Sequence, residues 1–492
     1  MLWAGRAATE IAAAVRRGEV TATAVVEEHL RAIAERDPRV GAFRLVRTRA
    51  LEEARAVQER RDLTELPLAG VPVAVKDNVA VAGETTRSGS AVTDDTPAAK
   101  DHETVARLRA AGAVVIGLTN LPELGLVAFG DSTYGTVRNP WDVSRTAGGS
   151  SSGSAAAVAA GMVPIALGND GMGSLRIPAA CCGVLALKPG TGLVPPPADD
   201  WQGLAENGPI AASVPDLALV LSVLAADPSL AEAWRGGRRT EPRRPMLRSV
   251  WADDDAVWEP PPPKDSPEPF DLRVAYTAQP LPRGLAVDKE FQGAVRAAAE
   301  TLRIAGHTIV ERERRLPFPL GPATIATWLS RAADAADGLD PRRLERRSRA
   351  LARAGRVLTR LSLDGSRGRD RWSGYGADTW FGDADVLIMP TLATLPPKAE
   401  RRGGLLGSRR GSRRGERGLA ATVLANVGYA PATGPWNMCG WPAMTISIAT
   451  HSAGLPIGVQ LIAPPGGEPH LLGLAAQLAA AHPLVHPPGF TY

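Results

Sequence analysis

An α/β fold is what this sequence predicts, on two observations. Short apolar runs bounded by turn residues alternate with stretches of helical periodicity over most of its 492 residues, and a glycine- and serine-rich loop directly follows one of those runs. Taken in order, residues 1–62 read as a helical lead-in: in TATAVVEEHLRAIAERD, Val25, Val26, His29, Leu30 and Ile33 share one face. A Gly-Val-Pro turn opens the strand-like run Val71 to Val75, with Lys76 at its end, and DHETVARLRAAG reads as a helix leading into a strand at VVIGL. Thr146 to Gly161 is a loop that becomes an Ala-rich helix. Val163 to Leu167 is the next buried strand, and its exit is GNDGMGS. Open α/β sheets assemble their sites at such strand ends, which places the chemistry within 65–190.

Later segments keep the same alternation. LRVAYT reads as a strand, DKEFQGAVRAAAETLRIAGHTIVE as a helix ending at Gly306 and then a strand, and DVLIMPT as a further buried strand. The stretch from PWNMCGW to IAPPGG reads as two strands joined by a turn at Ser452 to Gly454, and LLGLAAQLAAAH as a closing helix. Two stretches break the pattern and read as surface excursions. Residues 228–270 contain EPPPPKDSPEP, where proline lacks the amide donor that regular structure needs, and residues 395–420 include seven arginines among glycines and serines at 400–417. Trp234, Trp251 and Trp258 in the first excursion are expected to cover apolar surface rather than stack on a ligand. There is no internal repeat, and we read residues 1–492 as one large domain.

Composition narrows the function classes. With 44% hydrophobic and 22% charged residues the chain has ample material for a core, and a net charge of +4 gives no coherent basic surface, so no nucleic-acid partner is expected. No run approaches the ~20 apolar residues of a membrane span, and the first twenty residues lack the apolar core of a signal peptide. Three cysteines, Cys181, Cys182 and Cys439, fit no disulfide framework or metal-ligand spacing, which points to a reducing, cytoplasmic setting and to no metal.

The residues that carry chemistry are Lys76 in GVPVAVKD, Ser150 in GGSSSGSAAAVAAG and Ser174 in GNDGMGSLRIPAACCG. A serine hydroxyl attacks a carbonyl at neutral pH only when a base takes its proton, and two serines with a lysine can form a relay ending in an activated hydroxyl. Other readings compete. GSSSG at 149–153 fits the G-x-S-x-G elbow, with Ser151 as nucleophile and His470, His482 or His486 as partner, but the elbow needs a strand just before the serine and NPWDVSRTAGG has no β-periodicity. Cys182 lies in the apolar context IPAACCGVLAL of an inert core thiol.

Together GVPVAVKDN, TNLPELG, NPWDVSRTAGGSSSGSAAAVAAG, ALGNDGMGSLRIPAACCG, LKPG, DVLIMPT and GWPAMTISI with GLPIGVQL resemble the amidase signature family, in its order and from about residue 20 to 480. The resemblance implies a central mixed β-sheet covered on both faces by helices, a signature core over 65–200, and hydrolysis of a carbon–nitrogen amide bond of a small-molecule carboxamide. It places the base on Lys76, the bridging serine on Ser150 after a cis Gly149–Ser150 peptide, and the nucleophile on Ser174. Backbone N–H groups of Gly171, Met172, Gly173 and Ser174 are expected to form the oxyanion hole, with Asp170 and Arg176 supporting the loop. No metal or cofactor is implied, linear amides and esters are the expected substrates, and a homodimer is compatible with it. The chain departs from the family pattern at Met172 (usually Gly), Leu118 (Lys), Ser152 (Gly) and Gly190 (Ser or Thr). An amidotransferase-like subunit working with a partner is the alternative, although such subunits usually carry Gln where Ile177 stands; a silent scaffold of the same fold, motivated by Met172 and Ser152, is the third reading.

Overall fold

The computed structural model describes residues 2–235, 271–280, 285–312, 315–399 and 418–490. Its strands are β1 (Phe43–Val46), β2 (Pro72–Lys76), β3 (Val114–Thr119), the short pair β4 (Asp131–Ser132) and β5 (Gly135–Thr136), β6 (Ile165–Asp170), β7 (Leu185–Lys188), β8 (Glu206–Ala211), β9 (Arg273–Tyr276), β10 (Thr308–Glu311), β11 (Val386–Pro390), β12 (Ala443–Thr450) and β13 (Pro456–Ile462). All but β4 and β5 join one sheet in the order β1-β3-β2-β6-β8-β7-β12-β13-β11-β9-β10. It is mixed: β3, β2 and β6 run parallel, as do β11, β9 and β10, while β8, β7, β12 and β13 pair antiparallel. In β2, β3, β6, β7, β8, β11 and β13 every residue is buried, and because successive side chains alternate between faces, both faces of the sheet are covered.

Helices do the covering. Helix Val214–Ala225 packs on β8 and β7, helix Arg176–Cys182 on β7, β12 and β13, and helix Lys289–Ile304 on β11 and β13. Helix Ser152–Ala159 is buried along its whole length, which only small residues allow: a Cβ on Gly153 would stand 2.7 Å from Asn120 N, and Ser154 Oγ lies 2.8 Å from Thr119 Oγ1 in β3. Val25, Val26, His29 and Ile33 line the buried face of helix Ala22–Val40, with Leu30 half-buried beside them.

The helical lead-in needs one correction. Its helices Ala8–Arg16, Ala22–Val40 and Ala50–Gln58 are interrupted by β1, which pairs antiparallel with β3 at the edge of the sheet. The preceding helix stops at Gly41, and the FRLV that follows is too short to show a period of its own. Of the excursions, Trp234 is partly buried against the core as expected, while Trp251, Trp258 and the arginine-rich 400–417 lie outside the described residues. Among the described residues no helix is long and apolar enough to cross a membrane.

Candidate active site

Neighbouring parallel strands β2 and β6 end side by side, and their last residues bring a lysine and an Asn-Asp pair to one edge of the sheet. Lys76 is fully buried there, with Nζ 2.8 Å from Ser150 Oγ, 2.7 Å from Asn169 Oδ1 and 3.5 Å from Asn169 O. Burial lowers its amine from the ordinary 10.5 to about 7, against the opposing pull of the Asp170 charge. A neutral amine has two N–H groups and one lone pair; the two Asn169 oxygens accept the N–H groups, so the lone pair is left for the Ser150 hydroxyl. Asn169 is itself held, its Nδ2 donating to Asn78 Oδ1 at 2.9 Å and its carbonyl accepting from Ser151 Oγ at 3.1 Å.

Ser150 sits on a loop pressed against the chain at 127–129. The Gly149–Ser150 peptide is cis, as the family resemblance implies. A Cβ on Gly149 would come within 2.8 Å of Phe129 N and Val127 O, so only glycine fits. The next amide, Ser151 N, donates to Ser174 O at 3.0 Å and ties the two serine loops together. Ser151 does not meet the elbow requirements: no strand leads directly into it, and its hydroxyl is buried and committed to Asn169 O. His470, His482 and His486 do not line the pocket that holds Ser174. Burial pushes the Cys181 thiol up to about 12 and that of Cys182 well above its ordinary value, consistent with inert core thiols.

Ser174 is half-buried at the start of the turn into helix Arg176–Cys182, and its hydroxyl makes no hydrogen bond to another described residue. Lys76 and Ser150 are thus joined directly, whereas Ser174 is joined to that pair through the Ser151 amide rather than through a hydroxyl–hydroxyl contact.

Beneath the loop Asp170 and Arg176 form a fully buried, two-pronged ion pair at 2.9 and 3.1 Å. Burial opposes ionisation of Asp170, but the Arg176 charge and hydrogen bonds from Arg176 and Asn437 outweigh it and hold the carboxyl well below the usual carboxylate range. Asp170 also accepts from the N–H groups of Gly173 and Leu175. This corrects one expectation: the Gly173 amide is turned inward to Asp170 and is not free to meet an oxyanion. The amides of Gly171, Met172 and Ser174 have no acceptor among the described residues. Gly173 has φ +116° and lies against the Thr433 side chain, a combination that demands glycine. Met172, by contrast, needs no left-handed backbone, and its half-buried side chain reaches the same pocket as Ser174.

The other departures are absorbed locally. Leu118 is core in β3, Ser152 Oγ donates to Gly148 O at 2.7 Å, and Gly190 N donates to Glu468 Oε1 at 2.8 Å. Sequence reasoning missed Asn169, although its place in GND at a buried strand end was a signal. It also missed Thr433, Asn437 and Gln460, which clasp the loop from over 250 residues away: Arg176 donates to Thr433 O at 3.0 Å, Gln460 Oε1 at 3.2 Å and Asn437 Oδ1 at 2.6 Å, and Thr433 Oγ1 donates to Met172 O at 2.8 Å.

A cavity of about 150 Å³ opens in front of Ser174, walled by Leu126, Met172, Ile177, Trp201, Leu320 and Trp328 among others.

Comparison with known proteins agrees with this geometry. The family model described as Amidase matches residues 24–472. The protein AmiB2 of Mycobacterium tuberculosis is 39% identical over 481 residues, covering 95% of this chain and 94% of its own. The 6-aminohexanoate-cyclic-dimer hydrolase of Paenarthrobacter ureafaciens is 32% identical over 97% of this chain and 95% of its own. A solved structure of 6-aminohexanoate cyclic dimer hydrolase complexed with substrate superposes with a TM-score of 0.76 at 30% identity over the whole of both chains. A bacterial aryl acylamidase of the amidase signature family shares the fold, with a TM-score of 0.75 at 23% identity and coverage of 97% and 96%. A fully buried lysine joined to one serine at the edge of this mixed sheet, a second serine open to a pocket, and a family match spanning nearly the entire sequence lead to one conclusion: the chain belongs to the amidase family and is a hydrolase acting on amide bonds.

Proposed function

We propose that the chain hydrolyses a small-molecule carboxamide through an acyl-enzyme on Ser174, with Lys76 as base and Ser150 as the relay. The observation that carries this reading is a lysine amine lowered to about 7 and placed 2.8 Å from Ser150 Oγ, beside a Ser174 hydroxyl left free on the pocket. Ser174 Oγ bonds to the carbonyl carbon while its proton passes to Ser150 Oγ, whose own proton passes to Lys76 Nζ. Charge that develops on the carbonyl oxygen is met by the amides of Gly171, Met172 and Ser174; loss of one such donor typically slows turnover ~10²–10³-fold. Collapse breaks the C–N bond, the amine leaves with the proton returned through Ser150, and water attacks the ester by the reverse route to release the acid.

Asp170 and Arg176 act in this reading as positioning residues for the loop. Ile177, an apolar wall of the pocket, supports a stand-alone amidase over the amidotransferase-like alternative. The continuous eleven-stranded sheet supports reading the chain as one domain, and three free cysteines fit a cytoplasmic location.

A fluorophosphonate probe tests the assignment. Wild type is expected to be labelled, Ser174→Ala to be silent, and Lys76→Ala and Ser150→Ala to lose at least ~100-fold in labelling rate while still folded. Labelling of Ser174→Ala at the wild-type rate, or full activity in Lys76→Ala, would overturn it.

A further inference from the structure

We infer that this pocket selects uncharged, apolar acyl groups about the size of a ring or a four- to six-carbon chain; the inference rests on the reading that Ser174 attacks within it. Among the described residues that line the cavity there is no Asp, Glu, Lys, Arg or His. Its polar side chains are largely committed elsewhere. Thr324 Oγ1 donates to Leu320 O at 2.8 Å, Trp328 Nε1 donates to Leu126 O at 2.8 Å, and Asn426 both accepts from Ala128 N at 2.8 Å and donates to Thr422 O at 2.7 Å. What remains for a substrate is the Ser174 hydroxyl and the loop amides, since the Trp201 side chain hydrogen-bonds Asp199. A carboxylate or ammonium on the acyl chain would therefore lose its water and gain no counter-charge, while each buried methylene is favoured about fourfold.

Size follows from volume. A cavity of about 150 Å³ lined by apolar side chains is of the order that accepts a benzene ring, so a benzoyl or hexanoyl group fills it and a longer chain must run out through its mouth. Trp201 sets one wall, its ring lying where a Cβ on Gly171 would be 2.8 Å away, and it therefore closes over the loop whose amides face the carbonyl oxygen. At the rim stands Gly321, the second residue of helix Leu320–Ala335 and exposed. A Cβ there would meet nothing within 4 Å, so a side chain can be added without displacing a neighbour and would take up room the acyl group now has.

The test measures ammonia release from acetamide, hexanamide, benzamide, 3-carboxypropanamide and 6-aminohexanamide. Hexanamide and benzamide are expected to exceed acetamide in kcat/KM at least ~30-fold, and the two charged amides to fall at least ~100-fold below hexanamide. Gly321→Leu is expected to lower the benzamide-to-acetamide ratio at least tenfold; an unchanged ratio overturns the size limit. Calorimetry on Ser174→Ala reads the same preference without chemistry, with hexanamide bound and 6-aminohexanamide not. Charged amides that match hexanamide in turnover or in binding overturn the selectivity while leaving the acyl-enzyme reading intact. If wild type releases no ammonia but Ser174→Ala still prefers hexanamide, the acyl-enzyme reading fails and the pocket assignment stands.

Discussion

Asn169→Asp is the most informative single change, because it alters the charge beside the base and little else. The substituted side chain has nearly the same shape, and Asn78 can turn its amide to donate to the new oxygen. The carboxylate would lie about 2.7 Å from Lys76 Nζ, where Asn169 Oδ1 now stands. At an effective dielectric of 20, two unit charges at that distance attract by about 6 kcal/mol, equivalent to roughly four decades in a protonation equilibrium before the cost of burying the new carboxylate is subtracted. We expect the lysine to move from about 7 to 9 or above. At pH 7 the neutral fraction then drops from about one half to about one in a hundred, so kcat/KM falls ~50-fold and returns as pH is raised to 9.5. The assay is ammonia release from a primary amide between pH 5.5 and 10.5, with thermal unfolding to confirm a folded variant. The rising limb for wild type should lie near 7. A limb that stays there in Asn169→Asp, or a loss equal at every pH, would refute the claim that Lys76 is the titrating base.

Four further outcomes follow from the same geometry. Lys76 takes up its proton near 10.5 unfolded and near 7 folded, so stability rises with pH between those values and the penalty is complete below 7; Lys76→Met should gain up to roughly 4–5 kcal/mol in urea unfolding at pH 6–7 and nothing near 10.5, and a pH-independent gain would contradict this. Arg176→Met strands the buried Asp170 carboxylate and should cost about 3–5 kcal/mol and abolish probe labelling, whereas a stability unchanged in denaturant unfolding would deny the ion pair its structural role. Gly149→Ala forces a methyl against the backbone of Val127 and Phe129, with an expected loss of about 1–3 kcal/mol and of activity, read by thermal unfolding and amide turnover. Burial holds Cys181 and Cys439 near 12, so iodoacetamide at pH 7.5 should leave activity intact; rapid inactivation would point to a reactive thiol.

Much of the fold was legible because the central strands are apolar runs ended by turn residues: Val71–Val75, LRVAYT, DVLIMPT and the two strands around Ser452–Gly454 all appear where the pattern puts them. Other elements carry no such pattern. β1 is four residues long with one buried position, and β8, ENGPIA, holds a Glu, an Asn and a Pro that carry no strand period and are buried only because neighbours cover them. At the site, Lys76, Ser150 and Ser174 stand in motifs, but the inward turn of the Gly173 amide depends on where the Asp170 carboxylate points, which only folded geometry determines. Asn437 and Gln460 reach Arg176 from the distant short helix Gly434–Met438 and from β13, and no local pattern marks them.

That clasp has a consequence for how the enzyme comes into being. A nascent chain that has emerged as far as helix Val214–Ala225 already carries the lysine and both serines, yet Arg176 still lacks Thr433, Asn437 and Gln460, and half of its guanidinium has nowhere to donate. Vectorial synthesis therefore delivers Lys76, Ser150 and Ser174 early and the groups that fix the loop almost last. The turn that carries Ser174 is fully clasped only once residues 433–460, which lie beyond most of the sheet in chain order, have folded onto it.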